Sequence, residues 1–241
     1  MDSARNKKGK WKLSSALLLT AAMACGAAAA QGRGPGMGSC PQGSACGAGP
    51  GRGQGGFAPG TGIAAATPLS TEATQDLMYM QEEERLARDL YTFFYSLWQA
   101  PVFQAVVAAE ERHMSSVAAA LDRHGLPRLP ETPGTFQNEE LQSLYDRLAA
   151  QGARSLTDAL LAAAYVEELD IEDLSQALTR TAAPDLVQVY QNLARGSRNH
   201  LRLFAGYLGA MGVSYTPQVL EPQEVQAILQ APIERGGRWS F

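Results

Sequence analysis

The sequence predicts an all-α protein in which four long helices form two antiparallel hairpins, joined by a long crossover that contains a short extra helix. Two observations carry this reading. From Ser70 onward, apolar residues recur at three- and four-residue spacing with almost no β-branched alternation, the period of helices that bury one face. The breaks between the long periodic segments are short at Trp98 to Pro101 and at Arg180 to Pro184, and about thirty residues long only once. Short connections force antiparallel neighbours, whereas the long one permits a crossover.

Helix 1 is expected from about Ser70 or Thr71, with Thr71 and Thr74 as candidate caps, to about Trp98. Pro101 opens helix 2, because a proline in the first turn gives up only an amide that has no helical partner. Gly125 stops that helix and Pro127 confirms the stop. Leu126 to Gln137 is a proline-rich crossing, and Asn138 followed by Glu139, Glu140 and Leu141 starts a short helix ending near Gly152. Ser155 caps helix 3, which runs to about Arg180; Pro184 begins helix 4, which ends at Gly212. The tail, residues 216–241, holds Pro217, Pro222 and one or two helical turns around Glu224 to Leu229.

The first third of the chain has a different composition. Arg5, Lys7, Lys8, Lys10 and Lys12 precede an apolar stretch from Leu13 to Ala24 and a run of alanines ending at Ala30. That is the organisation of a secretory signal peptide over residues 1–30, with cleavage after Ala28-Ala29-Ala30, and it predicts an exported protein, periplasmic or extracellular. The apolar stretch falls short of the ~20 residues that a stable transmembrane helix needs, so no stable transmembrane segment is expected. Ala24-Cys25-Gly26 resembles a lipoprotein processing site, but Ala22 stands where a leucine is usual, which disfavours anchoring at Cys25. Residues 31–68 form a Gly-rich leader: 13 glycines fall between Gln31 and Gly62, too little apolar surface to offset the entropy of ordering. Cys40 and Cys46 lie in that leader, where a local disulfide is the simplest reading in an oxidising compartment.

Without residues 1–30 the chain carries 15 Lys plus Arg against 23 Asp plus Glu, a formal charge of −8. Nucleic-acid binding rests on neutralising phosphates, so nucleic acid is not an expected partner. No Gly-rich phosphate loop, nucleophile elbow or Cys/His nucleophilic pair is present.

The chemistry-bearing residues interrupt the apolar stripes. Helix 1 reads Leu77, Met80, Glu84, Ala87, Tyr91, Phe94, Trp98, and helix 2 reads Val102, Val106, Glu110, His113, Val117, Ala120. Helix 3 reads Leu160, Ala164, Glu167, Ile171, Leu174, Leu178, and helix 4 reads Leu186, Val189, Leu193, Ser197, His200, Phe204, Tyr207, Met211. A carboxylate taken out of water costs several kcal/mol unless something compensates it, and a cation is the natural compensation. Depth supports convergence: Glu84 lies 14 residues before Trp98 and His113 lies 12 after Pro101, both on the order of 20 Å from the turn. Glu167 and Ser197 lie 13 residues from Arg180 and Pro184, with His200 one turn further.

The two hairpins therefore look like degenerate copies, Glu84 with Glu110-x-x-His113 and Glu167 with Ser197-x-x-His200. This pattern resembles the ferritin-like superfamily, whose di-iron bundles take one Glu from each of two helices and Glu-x-x-His from each of the others. It implies a ferritin-like four-helix bundle over residues 69–215. More closely, Met80-Gln81-Glu82-Glu83-Glu84-Arg85-Leu86-Ala87-Arg88-Asp89, Ala109-Glu110-Glu111-Arg112-His113-Met114, Val166-Glu167-Glu168-Leu169-Asp170-Ile171 and Gly196-Ser197-Arg198-Asn199-His200-Leu201 are similar to the bacterial and archaeal family called domain of unknown function 2202. The family has no settled reaction.

The resemblance implies metal ligation by Glu84, Glu110, His113, Glu167 and His200, with Glu110 as a bridge and Glu83 as the reserve for Glu84. Two iron ions are expected; manganese or another divalent metal also suits oxygen-rich sites with a few imidazoles. Ser197 stands where a second bridging carboxylate belongs, so Asp170 or a water fills the gap, or the centre holds one ion. Glu82, Glu83, Glu111 and Glu168 read as solvated or hydrogen-bonded residues, and His124 as a helix-end residue. Tyr91 and Tyr207 read as core residues, with a redox or proton role near the metals as the sharper alternative. Arg88, Asp89, Arg198 and Asn199 flank the ligands, where one of them could orient a ligand.

Three functions follow: a redox enzyme acting on dioxygen, peroxide or ferrous iron; a non-catalytic envelope module that binds or sequesters metal; and a metal-free helical scaffold with a relic site. The expected partners are metal ions and small oxidants, and a homodimer is compatible with the pattern.

Overall fold

The computed structural model describes residues 68–236. The expected signal peptide, Cys25, Cys40, Cys46 and all but the last residue of the expected Gly-rich leader lie outside the described residues. Six helices and no strands occur among the described residues: α1 Thr71–Trp98, α2 Pro101–Arg123, α3 Glu139–Gly152, α4 Leu156–Arg180, α5 Pro184–Ala210 and α6 Pro222–Gln230.

The helix ends follow local chemistry. Ser70 caps α1 by accepting from the Ala73 amide at 3.1 Å, so the cap is Ser70 and not the candidate threonines. Thr74 instead donates its hydroxyl back to the Ser70 carbonyl. Asn138 caps α3 by accepting from Glu140 and Leu141, and Ser155 caps α4 by accepting from Asp158, each supplying an acceptor that the first helical turn lacks. Pro101, Pro184 and Pro222 sit in the first turns of α2, α5 and α6. Gly125 takes φ +65° just after α2, and the Leu126 amide reaches back to the Leu121 carbonyl to close the turn.

Packing pairs α1 with α2 and α4 with α5 most extensively, and each pair is joined by a loop of two or three residues. α1 also packs on α4, and α2 on α5, so each of the four long helices touches two others. α3 lies against α1 and α4, and α6 against α5. The crossover after α2 is held down by a run of α1 side chains. Gln81 accepts from the Leu129 amide, Glu82 from Asn138 and Asp89 from Gly134, while buried Arg85 donates to the carbonyls of Pro130 and Thr135. The tail is not a separate appendage: Leu220, Val225 and Ile228 are buried in the same core as Phe204 and Leu208.

That core has two parts. Tyr91, Phe94, Phe103 and Phe204 stack at ring distances of 5.2–6.4 Å near the α1–α2 turn. Leu77, Met80, Val117, Leu121, Leu174, Leu186 and Leu193 fill the other part. Burying each such side chain contributes roughly 1.5–3 kcal/mol. Between the two clusters, at Glu84 on α1, Glu110 and His113 on α2, Glu167 on α4 and His200 on α5, the apolar filling gives way to charge.

Tyr207 and Met211 depart from the expected stripe, being 39% and 44% exposed. Leu208, four residues after Phe204, takes the buried position in the last turn of α5, so Tyr207 and Met211, three and seven residues after Phe204, fall outside the buried face.

Candidate metal centre

Each helix delivers its polar residue because the flanking stripe positions lock it inward. On α1, Met80 and Ala87 bracket Glu84; on α2, Val106 and Val117 bracket Glu110 and His113. Glu110 is 2% exposed and central. Its Oε2 lies 2.8 Å from His113 Nδ1, and its Oε1 lies 2.8 Å from His200 Nδ1. Glu84 Oε2 stands 3.2 Å from His113 Nδ1, and Glu167 Oε2 stands 3.5 Å from His200 Nδ1. The result is two half-sites, Glu84 with His113 and Glu167 with His200, sharing the carboxylate of Glu110. The two imidazole rings are 5.4 Å apart. Ligand-type atoms of Glu110, His113 and His200 all fall within 4.8 Å of one another.

All five residues that the sequence singles out therefore come together. Glu84 faces His113; Glu83, its reserve, turns away and interacts with Asp173. His124 lies elsewhere and pairs with Asp185 at 3.0 Å, where Arg123 also binds. Of the four glutamates read as solvated or hydrogen-bonded, only Glu111 is exposed. Glu82 and Glu168 are buried and satisfied by loop amides, Glu168 by those of Gln218, Val219 and Leu220. Tyr91 is fully buried and donates to Glu167 Oε1 at 2.6 Å. Ser197 Oγ contacts Asp170 Oδ2 and also lies 3.1 Å from the Leu193 carbonyl, so its single proton serves one or the other.

Arg198 and Asn199, which flank His200, hold the segment around Glu234. Arg198 and Arg202 bind the Glu234 carboxylate, and Asn199 bonds both the amide and the carbonyl of Glu234. Arg88 pairs with Asp89 and Glu131. None of these four flanking side chains bonds a residue of the centre. Sequence spacing marks them as neighbours, but helix rotation carries them to other faces.

The electrostatics are those of concentrated, compensated charge. Burial pushes Glu84 up to about 7, opposed by His113. Burial also raises Glu167 and Asp170, the latter with further repulsion from Glu84 and Glu167. Glu110 goes the other way: burial opposes its ionisation, but His200 and His113 on either side outweigh it. The carboxylates in turn overcome burial at the histidines and push His200 up to about 10.

A cation fits these residues on two observations. Buried atoms lack hydrogen-bond partners at Glu84 Oε1, Glu110 Oε1, Asp170 Oδ1 and His200 Nδ1. The last of these lies 2.8 Å from Glu110 Oε1 without the alignment of a hydrogen bond, as two donors directed at a common point would. The donor set, carboxylate oxygen with two imidazoles, is one that iron, manganese and zinc accept.

The family model described as "Uncharacterized protein domain (DUF2202)" matches residues 73–232. The chain belongs to this family. The DUF2202 match runs through α6, past residue 215. An uncharacterized protein of Methanocaldococcus jannaschii, MJ0754, is 37% identical over 171 residues, covering 70% of this chain and 92% of the relative. The crystal structure of hypothetical protein MJ0754 from Methanococcus jannaschii DSM 2661 superposes with a TM-score of 0.68 at 36% identity, covering 70% of this chain and 97% of that one. A crystal structure of a DUF305 fragment from Deinococcus radiodurans reaches a TM-score of only 0.44 at 17% identity, which supports no inference.

Proposed function

We propose that this DUF2202 protein is an exported, ferritin-like metal protein whose centre binds two divalent cations, iron before manganese, and reacts with dioxygen, peroxide or ferrous iron. The four mutually packed helices α1, α2, α4 and α5, in two hairpins with α3 in the crossover, support the four-helix-bundle reading. The basic, apolar and alanine-rich order of residues 1–30 supports export. No helix among the described residues is long and apolar enough to cross a membrane.

The observation that carries the proposal is Glu110. It is buried, and each of its oxygens lies 2.8 Å from a different histidine. One carboxylate with a half-site on either side is the arrangement of a bridge between two ions. Glu84 and His113 would hold one ion, and Glu167 and His200 the other. When bound, such ions supply one-electron redox chemistry and Lewis acidity. The chain's own contribution is a fixed spacing and a buried phenol on Tyr91 directed at Glu167, with the Tyr91 ring packed against Phe103 and Phe204.

Metal analysis of the purified chain tests the reading. The expected result is stoichiometric iron or manganese that Glu110→Ala abolishes; unchanged metal content in that variant overturns it. A second reading, a metal-free scaffold, is favoured by the close His and Glu pairs, which can satisfy one another as ion pairs. It predicts equal melting temperatures in chelator and in added ferrous iron. A ligand present at a hundredfold its Kd instead stabilises by about 2.7 kcal/mol. A non-catalytic module would bind metal stoichiometrically without turning over peroxide or ferrous iron.

A further inference from the structure

The pseudo-repeat leaves one position unexplained. On α2, Glu110 and His113 are three residues apart and share a face; the equivalent pair on α5 is Ser197 and His200, and serine carries a hydroxyl where the repeat calls for a carboxylate. The structure puts another acid in contact with that serine. Asp170 lies three residues after Glu167 on α4, hence on the same face of that helix, and its Oδ2 takes the contact with the Ser197 hydroxyl. Its other oxygen, Oδ1, is buried and has no hydrogen-bond partner, and the residue as a whole is 6% exposed. Glu84, Glu167 and Glu110, the three carboxylates of the centre, all act on it electrostatically, as does Glu83 on α1. Among the described residues no cationic side chain forms an ion pair with Asp170.

We infer that Asp170 is the fourth carboxylate of the metal centre, delivered from α4 and oriented by the Ser197 hydroxyl, so that the pair replaces the bridging glutamate that α5 lacks. This rests on the proposed metal-binding function. Charge supports it independently of geometry: two divalent cations carry four positive charges, and Glu84, Glu110, Glu167 and Asp170 supply four negative ones, with neutral imidazoles completing the set. Without Asp170 the set is one charge short. A buried carboxylate that lacks both a cation and a full complement of donors would be costly to keep at this point in the core.

Anaerobic titration of the full chain with ferrous ion, with bound metal counted after desalting, distinguishes the roles. Wild type is expected to take two equivalents. Asp170→Asn keeps the shape and the serine contact but loses the charge, and should weaken the more weakly held equivalent tenfold or more. Ser197→Ala leaves the charge and removes its orienting partner, and should weaken it by a smaller factor. The double variant Asp170→Ala with Ser197→Glu moves the carboxylate back to α5 and should recover two equivalents. A circular dichroism melt in chelator checks that each variant is folded; if Asp170→Asn is not, the double variant carries the test, and its failure to recover the second equivalent while folded overturns the inference. Two equivalents at wild-type affinity in folded Asp170→Asn also overturn it. If that happens while Glu110→Ala loses metal, the metal centre stands and only the role of Asp170 falls. If Glu110→Ala also binds as wild type, both fall.

Discussion

His113 rests on a bare stretch of α5 backbone at Gly196: a Cβ built at that glycine would lie 2.3 Å from His113 Nε2 and 2.4 Å from Cε1. No side chain fits there without moving the ring. Since His113 Nδ1 faces Glu84 and Glu110, the ring's seat on α5 fixes where its other nitrogen points.

Gly196→Ala should therefore weaken metal binding about 10- to 100-fold, the usual effect of losing a group that orients a ligand. Alanine favours helix over glycine by about 1 kcal/mol, so a simple loss of helix stability does not explain such a result. Competition against a metallochromic chelator measures it, and wild-type affinity in the variant would show that the ring has room to shift.

Tyr91 donates to Glu167 Oε1 from inside the aromatic cluster. Tyr91→Phe keeps the packing and removes one hydrogen-bond donor from a buried carboxylate, a loss of about 1–3 kcal/mol. The expected outcome is a lower melting temperature for the metal-free protein, with the aromatic core intact by near-ultraviolet circular dichroism. An unchanged melt would mean that Glu167 finds another donor.

Glu168, next to Glu167 on α4 but turned outward from the centre, accepts from the amides of Gln218, Val219 and Leu220 at 3.1, 2.7 and 2.9 Å. Glu168→Ala leaves three loop amides without their acceptor and should cost roughly 3 kcal/mol. Amide hydrogen exchange at residues 218–220 should accelerate selectively. Glu168→Gln, which keeps one acceptor oxygen, should fall between the two. Uniform acceleration across α4 and α5 would instead mean that the whole fold is loosened.

The hydrogen bond from Arg198, helped by Arg202, holds the Glu234 carboxyl down to about 2 from its ordinary 4.5. A depressed folded-state pKa contributes stability that is complete above 4.5 and is lost as pH falls toward 2. The segment from Ala231 to Gly236 should therefore release from α5 across that window, read as protease sensitivity or amide exchange of the terminal residues. Glu234→Gln should remove the pH dependence within it. Retention of protection in wild type at pH 2 would place the anchor in the buried Leu220, Val225 and Ile228 instead.

The primary sequence alone determined the helices, their order and where polar residues break each apolar stripe. Those features are local: Ser155 and Asn138 cap because of their own side chains, Pro101 and Pro184 open helices because of their own rings, and period and loop length follow from spacing. Glu84, Glu110, His113, Glu167 and His200 were legible as a set because matching depths from two short turns bring them to one level. Packing decided what local period cannot. Successive helical residues point about 100° apart, so the period left Glu83 and Glu84 both near the edge of the stripe, and only contact with α2 turned Glu84 toward His113. Glu82 and Glu168 read as solvated or hydrogen-bonded, and the crossover and the tail decided for hydrogen bonding by supplying the amides that they accept from; nothing in the spacing marked Arg85 for the carbonyls that it binds. Tyr207 read as core, but packing gives the buried position of that turn to Leu208. For the carboxylate missing at Ser197 the sequence left Asp170 and a water as alternatives, and only the meeting of α4 with α5 put the Asp170 carboxylate against the Ser197 hydroxyl.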